Sequence, residues 1–95
     1  MRLKNDQAEF IKASVLRYRP EADVYLFGSR ACDDLKGGDI DILVIGDEAM
    51  TDRQKRELKI AFYRKFGPQK VDLVSFRKDD PSPFKQLTLM EALKL

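Results

Sequence analysis

Leu26-Phe27-Gly28-Ser29-Arg30-Ala31, a polar loop ending in Gly37-Gly38, and then Asp39-Ile40-Asp41-Ile42-Leu43-Val44-Ile45 form the stretch that decides the fold. A short apolar run ends in Gly-Ser, and a second apolar run carries two acids at alternate positions. In a β-strand residues i and i+2 share a face, so Asp39 and Asp41 are expected to point the same way. Two like charges in an Ile/Leu/Val strand are costly unless a cation neutralises them. A divalent metal taking oxygen ligands is the simplest neutraliser. The Gly28-Ser29-Arg30 turn would face it, offering a hydroxyl, backbone amides and a guanidinium to an anion. Metal and anion cradle together suggest a bound nucleoside triphosphate.

Outward from this stretch, the pattern predicts alternating helices and strands. Phe10, Ile11, Val15 and Tyr18 recur at helical spacing, which predicts a helix from about Asn5 to Tyr18. Asn5 or Asp6 is the expected cap and Pro20 the stop. Asp23 to Phe27 reads as a strand, apolar on both faces and so expected to be covered on both. Gly28 to Ala31 is expected to open a short helical turn. Asp39 to Ile45 is the second strand. Thr51 and Gln54 have capping-box spacing ahead of a helix reaching about Phe66, with Leu58, Ala61, Phe62 and Phe66 as its buried stripe. Gly67-Pro68 stops it.

Lys70 to Phe76 is a third strand, with Asp72 among apolar neighbours. Ser82 is the expected cap of a last helix with Pro83 at its first position. Phe84, Leu87, Met90 and Leu93 are its expected apolar stripe. The order helix, strand, turn, strand, helix, strand, helix describes an α/β fold, a small mixed sheet flanked by helices. Residues 1–95 are expected to form a single domain, without repeats or linkers.

Composition narrows the chemistry. Charged residues make up 36% of the chain, yet the net charge is only +2, which argues against a polybasic nucleic-acid binder. The absence of histidine removes His-based triads, His general bases and His-ligated zinc. The single cysteine, Cys32, allows no intrachain disulfide or Cys cluster. Carboxylates are the ligands that remain, and they suit magnesium, with manganese as the alternative. No apolar run is long enough to span a membrane, and the N-terminus lacks a signal-peptide core. A cytoplasmic location is expected. The core of so short a chain is thin, so a partner or self-association is expected to help cover it.

Asp39, Asp41 and Asp72 could thus converge as catalytic and metal-binding residues. Such a trio fits two-metal phosphoryl or nucleotidyl transfer, with ions about 3.5–4 Å apart. Gly28, Ser29 and Arg30 would hold the triphosphate. The plainer alternatives are a strand face bearing solvated acids, an ordinary turn, and a solvated Arg53–Lys65 helix face. The joint spacing of Gly-Ser, Asp-x-Asp and a later strand aspartate favours the site.

Gly28-Ser29, nine residues, then Asp39-Ile40-Asp41-Ile42 resembles the signature of the DNA polymerase β-like nucleotidyltransferase superfamily. Asp72 in Lys70-Val71-Asp72-Leu73-Val74 matches the later strand aspartate of that signature. The likeness runs from about Phe10 to Phe76 and is strongest to the minimal nucleotidyltransferases. It implies a polymerase β-like fold, ATP as substrate and two Mg²⁺ ions. It also implies an all-helical HEPN-domain toxin as partner, with this chain as antitoxin. In such pairs AMP passes from ATP to a toxin hydroxyl, typically a tyrosine. Two other roles stay open at this point: a non-catalytic antitoxin acting by occlusion, and a catalytic subunit modifying RNA or a small molecule.

Overall fold

The computed structural model describes residues 3–28 and 40–95. Ser29, Arg30, Asp39 and the acidic Cys32-Asp33-Asp34 segment lie outside the described residues, as does the helical turn expected after Gly28. The elements are α1 (Asn5–Tyr18), β1 (Asp23–Phe27), β2 (Ile40–Gly46), α2 (Asp52–Phe66), β3 (Val71–Arg77), α3 (Pro83–Glu91) and β4 (Leu93–Lys94). The sheet runs β3-β2-β1-β4. β1 is antiparallel to β2 and to β4, whereas β2 and β3 are parallel and are joined through α2. The sheet is therefore mixed, as expected.

One face of the sheet carries the main core. Val24, Leu26, Ile40, Ile42, Val44, Val71 and Leu73 pack there against Ile11 and Val15 of α1 and Leu58 and Phe62 of α2. Phe10, Phe62 and Phe66 add edge and tilted ring contacts, with centroids 6.0, 5.6 and 4.7 Å apart pairwise. The capping box of α2 forms as expected. Thr51 Oγ1 accepts from Gln54 N at 3.1 Å, and Gln54 Oε1 accepts from Thr51 N at 3.0 Å. Gly67, at φ +87°, ends the helix with its amide on the Tyr63 carbonyl. Arg19 ties the α1–β1 corner to the segment after β2 by donating to the carbonyls of Tyr18, Glu48 and Ala49.

Several expectations need correction. Lys4, not Asn5 or Asp6, occupies the α1 N-cap, with no side-chain cap; Asp6 instead accepts from the neighbouring Gln7 amide. Ser82 is at the α3 N-cap but does not cap with its hydroxyl; its own amide donates to Asp80 Oδ1. Ala61 is exposed, because the buried positions of α2 narrow to Leu58 and Phe62. Val24 and Leu26 are buried while Tyr25 and Phe27 are half-exposed, so β1 is fully covered on one face only.

The chain end departs most from expectation. Leu93 and Lys94 leave the helix and form β4, pairing with Leu26 and Tyr25. Leu93 therefore belongs to no helical stripe. Phe84, Leu87 and Met90 are 50%, 66% and 81% exposed, so Leu87 and Met90 turn away from the sheet and Phe84 is only half covered. The inward position is taken by Lys85, 5% exposed, whose Nζ donates to the carbonyls of Lys78 and Asp80. A buried ammonium is tolerated because the turn leading into α3 supplies it with acceptors. Among the described residues no helix is long and apolar enough to cross a membrane.

The burial pattern sets a contrast in stability. Phe62→Ala should lower unfolding free energy by about 3–5 kcal/mol, since it empties a fully buried site. Leu87→Ala should change it by less than about 0.5 kcal/mol. Urea unfolding followed by circular dichroism measures both.

Candidate active site

The acids that sequence reasoning singles out lie on the face opposite the main core. Strand alternation places Asp41, Leu43 and Ile45 on that face of β2, and Asp72, Val74 and Phe76 on that face of β3. α3 crosses the same face, and Phe84 packs on Phe76 with centroids 5.9 Å apart. Leu43 and Ile45 are buried there, outside the α1/α2 core cluster. The carboxylates and α3 therefore share one side of the sheet.

Asp41 and Asp72 are register partners in the parallel β2–β3 ladder. Adjacent strands lie about 4.8 Å apart, so the two half-buried side chains leave the sheet side by side. The hydrogen bond from Ile40 N to Lys70 O, 2.9 Å, pins the strand starts just before them. On the other side of Asp41 the antiparallel partner is Phe27. One cross-strand row thus reads Phe27, Asp41, Asp72. Sequence spacing could not reveal Phe27 as part of this row, because pairing between strands sets it.

Gly28 follows that row at the end of β1. Its φ is +75°, a left-handed conformation that favours glycine. A side chain here would also run into Asp41: an added Cβ would overlap the Asp41 Oδ2 and lie 3.3 Å from its Cγ. The glycine is required twice, by its backbone angle and by the carboxylate packed against it. The need for glycine here is set in part by Asp41, which itself uses the space a side chain would take.

The structure thus brings together Gly28, Asp41 and Asp72 of the six site residues expected. Ser29, Arg30 and Asp39 lie outside the described residues. Among the described residues no group of three His, Cys, Asp or Glu side chains is assembled for a metal. Two paired carboxylates are a donor set suited to a hard divalent cation, and such an ion would relieve their mutual repulsion.

A nucleotidyltransferase domain model matches residues 8–95. The chain belongs to the nucleotidyltransferase domain family. The resemblance carried by Gly28-Ser29 and Asp39-Ile40-Asp41 is thereby met at the level of the family, and nucleotidyl transfer is the chemistry of this domain. Searched against curated proteins, the sequence finds no match.

Solved structures share the fold. A chain of the mutant toxin–antitoxin complex MntA–HpeT superposes with a TM-score of 0.70 at 23% identity, covering 98% of this chain and 72% of that one. A chain of the complex between tri-AMPylated Shewanella oneidensis HEPN toxin and MNT antitoxin gives 0.60 at 23%, covering 93% and 70%. A Sulfolobus solfataricus protein described as a nucleotidyltransferase gives 0.58 at 25%, covering 94% and 76%.

The close approach at Gly28 has a measurable consequence. Gly28→Ala should destabilise the domain by about 1–3 kcal/mol from the backbone alone, with the clash against Asp41 added. Gly67→Ala, at φ +87° with nothing within 4 Å, should cost only the backbone part. In an Asp41→Ala background the excess cost at Gly28 should vanish. Thermal unfolding of the four variants tests this coupling.

Proposed function

We propose that this domain transfers AMP from ATP to a side-chain hydroxyl of a HEPN-type partner protein in a divalent-metal-dependent reaction. In doing so it acts as the antitoxin of a cytoplasmic toxin–antitoxin pair. The observation that carries the reading is the row in which Asp41 and Asp72 stand side by side next to Gly28. One structural relative, the complex of a tri-AMPylated HEPN toxin with MNT antitoxin, supports the choice of acceptor.

In this reading Asp39 and Asp41 would hold the metal at the triphosphate, and Asp72 would complete a second site. Gly28, Ser29 and Arg30 bind the phosphates through backbone amides, hydroxyl and guanidinium. Mg²⁺, or Mn²⁺ in its place, would supply charge neutralisation at the triphosphate and favour ionisation of the attacking hydroxyl. The acceptor oxygen forms a bond to the α-phosphorus, and the bond from that phosphorus to pyrophosphate breaks. Asp72 takes the hydroxyl proton. The residues present fit this cofactor, since every ligand offered is a hard oxygen donor.

The exposed face of α3 favours a second reading, in which the chain neutralises its partner by occlusion alone. The two readings differ in what the acids do. With α-labelled ATP, Mg²⁺ and the purified HEPN-type protein, Asp41→Asn and Asp72→Asn should each lower AMP incorporation by on the order of 100-fold or more. γ-Labelled ATP should leave no label, and EDTA should abolish transfer. Equal incorporation by mutants and wild type would sink the transfer mechanism. Mutants that transfer nothing yet still protect cells from the partner would favour occlusion.

A further inference from the structure

Among the described residues, the outward face of α3 exposes a run of large apolar side chains. Phe84, Leu87 and Met90 follow one another at three-residue spacing, 50%, 66% and 81% exposed. At roughly 200 Å² for each large apolar residue they expose on the order of 400 Å² together. A partner-binding surface of standard size buries about 800 Å² per protein, a little over half of it apolar. The stripe therefore supplies most of the apolar centre that a stable protein–protein interface needs.

Its charge identifies the class of partner. α3 holds two ionisable residues, Lys85, which is buried, and Glu91, which is exposed. A neutral to slightly acidic apolar strip suits a protein surface and not a phosphate backbone.

Its placement ties it to the site. α3 starts beyond the far end of β3, where Phe84 meets Phe76. It ends just before Leu93, the register partner of Leu26, two residues ahead of Gly28. The helix thus runs along the carboxylate face toward the Phe27–Asp41–Asp72 row. Met90, the most exposed of the three, lies in its last turn.

We propose that the α3 stripe is the docking surface for the protein that carries the acceptor hydroxyl. That protein presents an apolar patch to Phe84, Leu87 and Met90, with a Ser, Thr or Tyr hydroxyl at the edge nearest Met90. Docking there delivers the hydroxyl to the metal-binding carboxylates. The proposal rests on the reading of a protein acceptor given above.

The test uses the double variant Leu87→Glu/Met90→Glu, with a purified HEPN-type protein that binds the wild-type chain as the probe. Both positions are exposed, so the fold is retained. Ile60→Glu, on exposed α2 across the sheet, is the control. The double variant should weaken binding of the probe by at least about 10-fold. AMP transfer should fall through KM for the probe, and ATP affinity should stay unchanged. The control should bind and transfer as the wild type does.

Unchanged probe affinity in the double variant would overturn the proposal. So would a wild-type chain that sediments alone as a dimer and becomes monomeric in the double variant, because a second copy would then occupy the stripe. A wild type that binds through α3 yet transfers no label would refute the transfer reading and support the docking face.

Discussion

The register of the parallel β2–β3 ladder is the constraint on which the rest depends. Ile40, Ile42 and Val44 on β2 and Val71 and Leu73 on β3 are buried against α1 and α2. A slip of one residue would turn that entire set outward, so the core holds the register. The same register places Asp41 directly beside Asp72 on the other face. Like charges opposite one another in a ladder are destabilising by a few tenths to about 1 kcal/mol. The apolar face thus holds together two acids that would otherwise move apart, which is the arrangement a cation-binding site requires.

The two faces of the sheet divide the work. The α1/α2 side contains the aromatic and aliphatic core and most of the fully buried side chains. The α3 side contains the carboxylates, the half-exposed Tyr25 and Phe27, and a helix whose large side chains point outward. On that side Lys85 stands where an apolar anchor would ordinarily be, and it holds the turn into α3 through backbone carbonyls. The α3 side is built less for stability than for presenting a surface, as functional regions often are.

Much of this was legible in the residues. The bounds of α1 and β1, the capping box of α2 and the strand positions of Asp41 and Asp72 follow from periodicity and local chemistry. So does the family, because Gly-Ser and the Asp-x-Asp strand are local motifs. What stayed hidden depends on contacts between distant segments. β4 is two residues long, and Leu93-Lys94 would suit a helix equally well until β1 offers an edge to pair with. The stripe of α3 is visible as a period, but a period tells which residues share a face, not which way that face turns. Lys85 was unreadable for the same reason. The clash awaiting a side chain at Gly28 exists only because Asp41, thirteen residues on, folds back against it.

In the proposed mechanism Asp41 and Asp72 would hold divalent cations at the reacting phosphate. Crystals grown with Mn²⁺ and a non-hydrolysable ATP analogue would test it through anomalous scattering at the manganese edge. The expected result is anomalous density at the carboxylates of Asp41 and Asp72 beside the triphosphate. A bound nucleotide with manganese away from both carboxylates would contradict it.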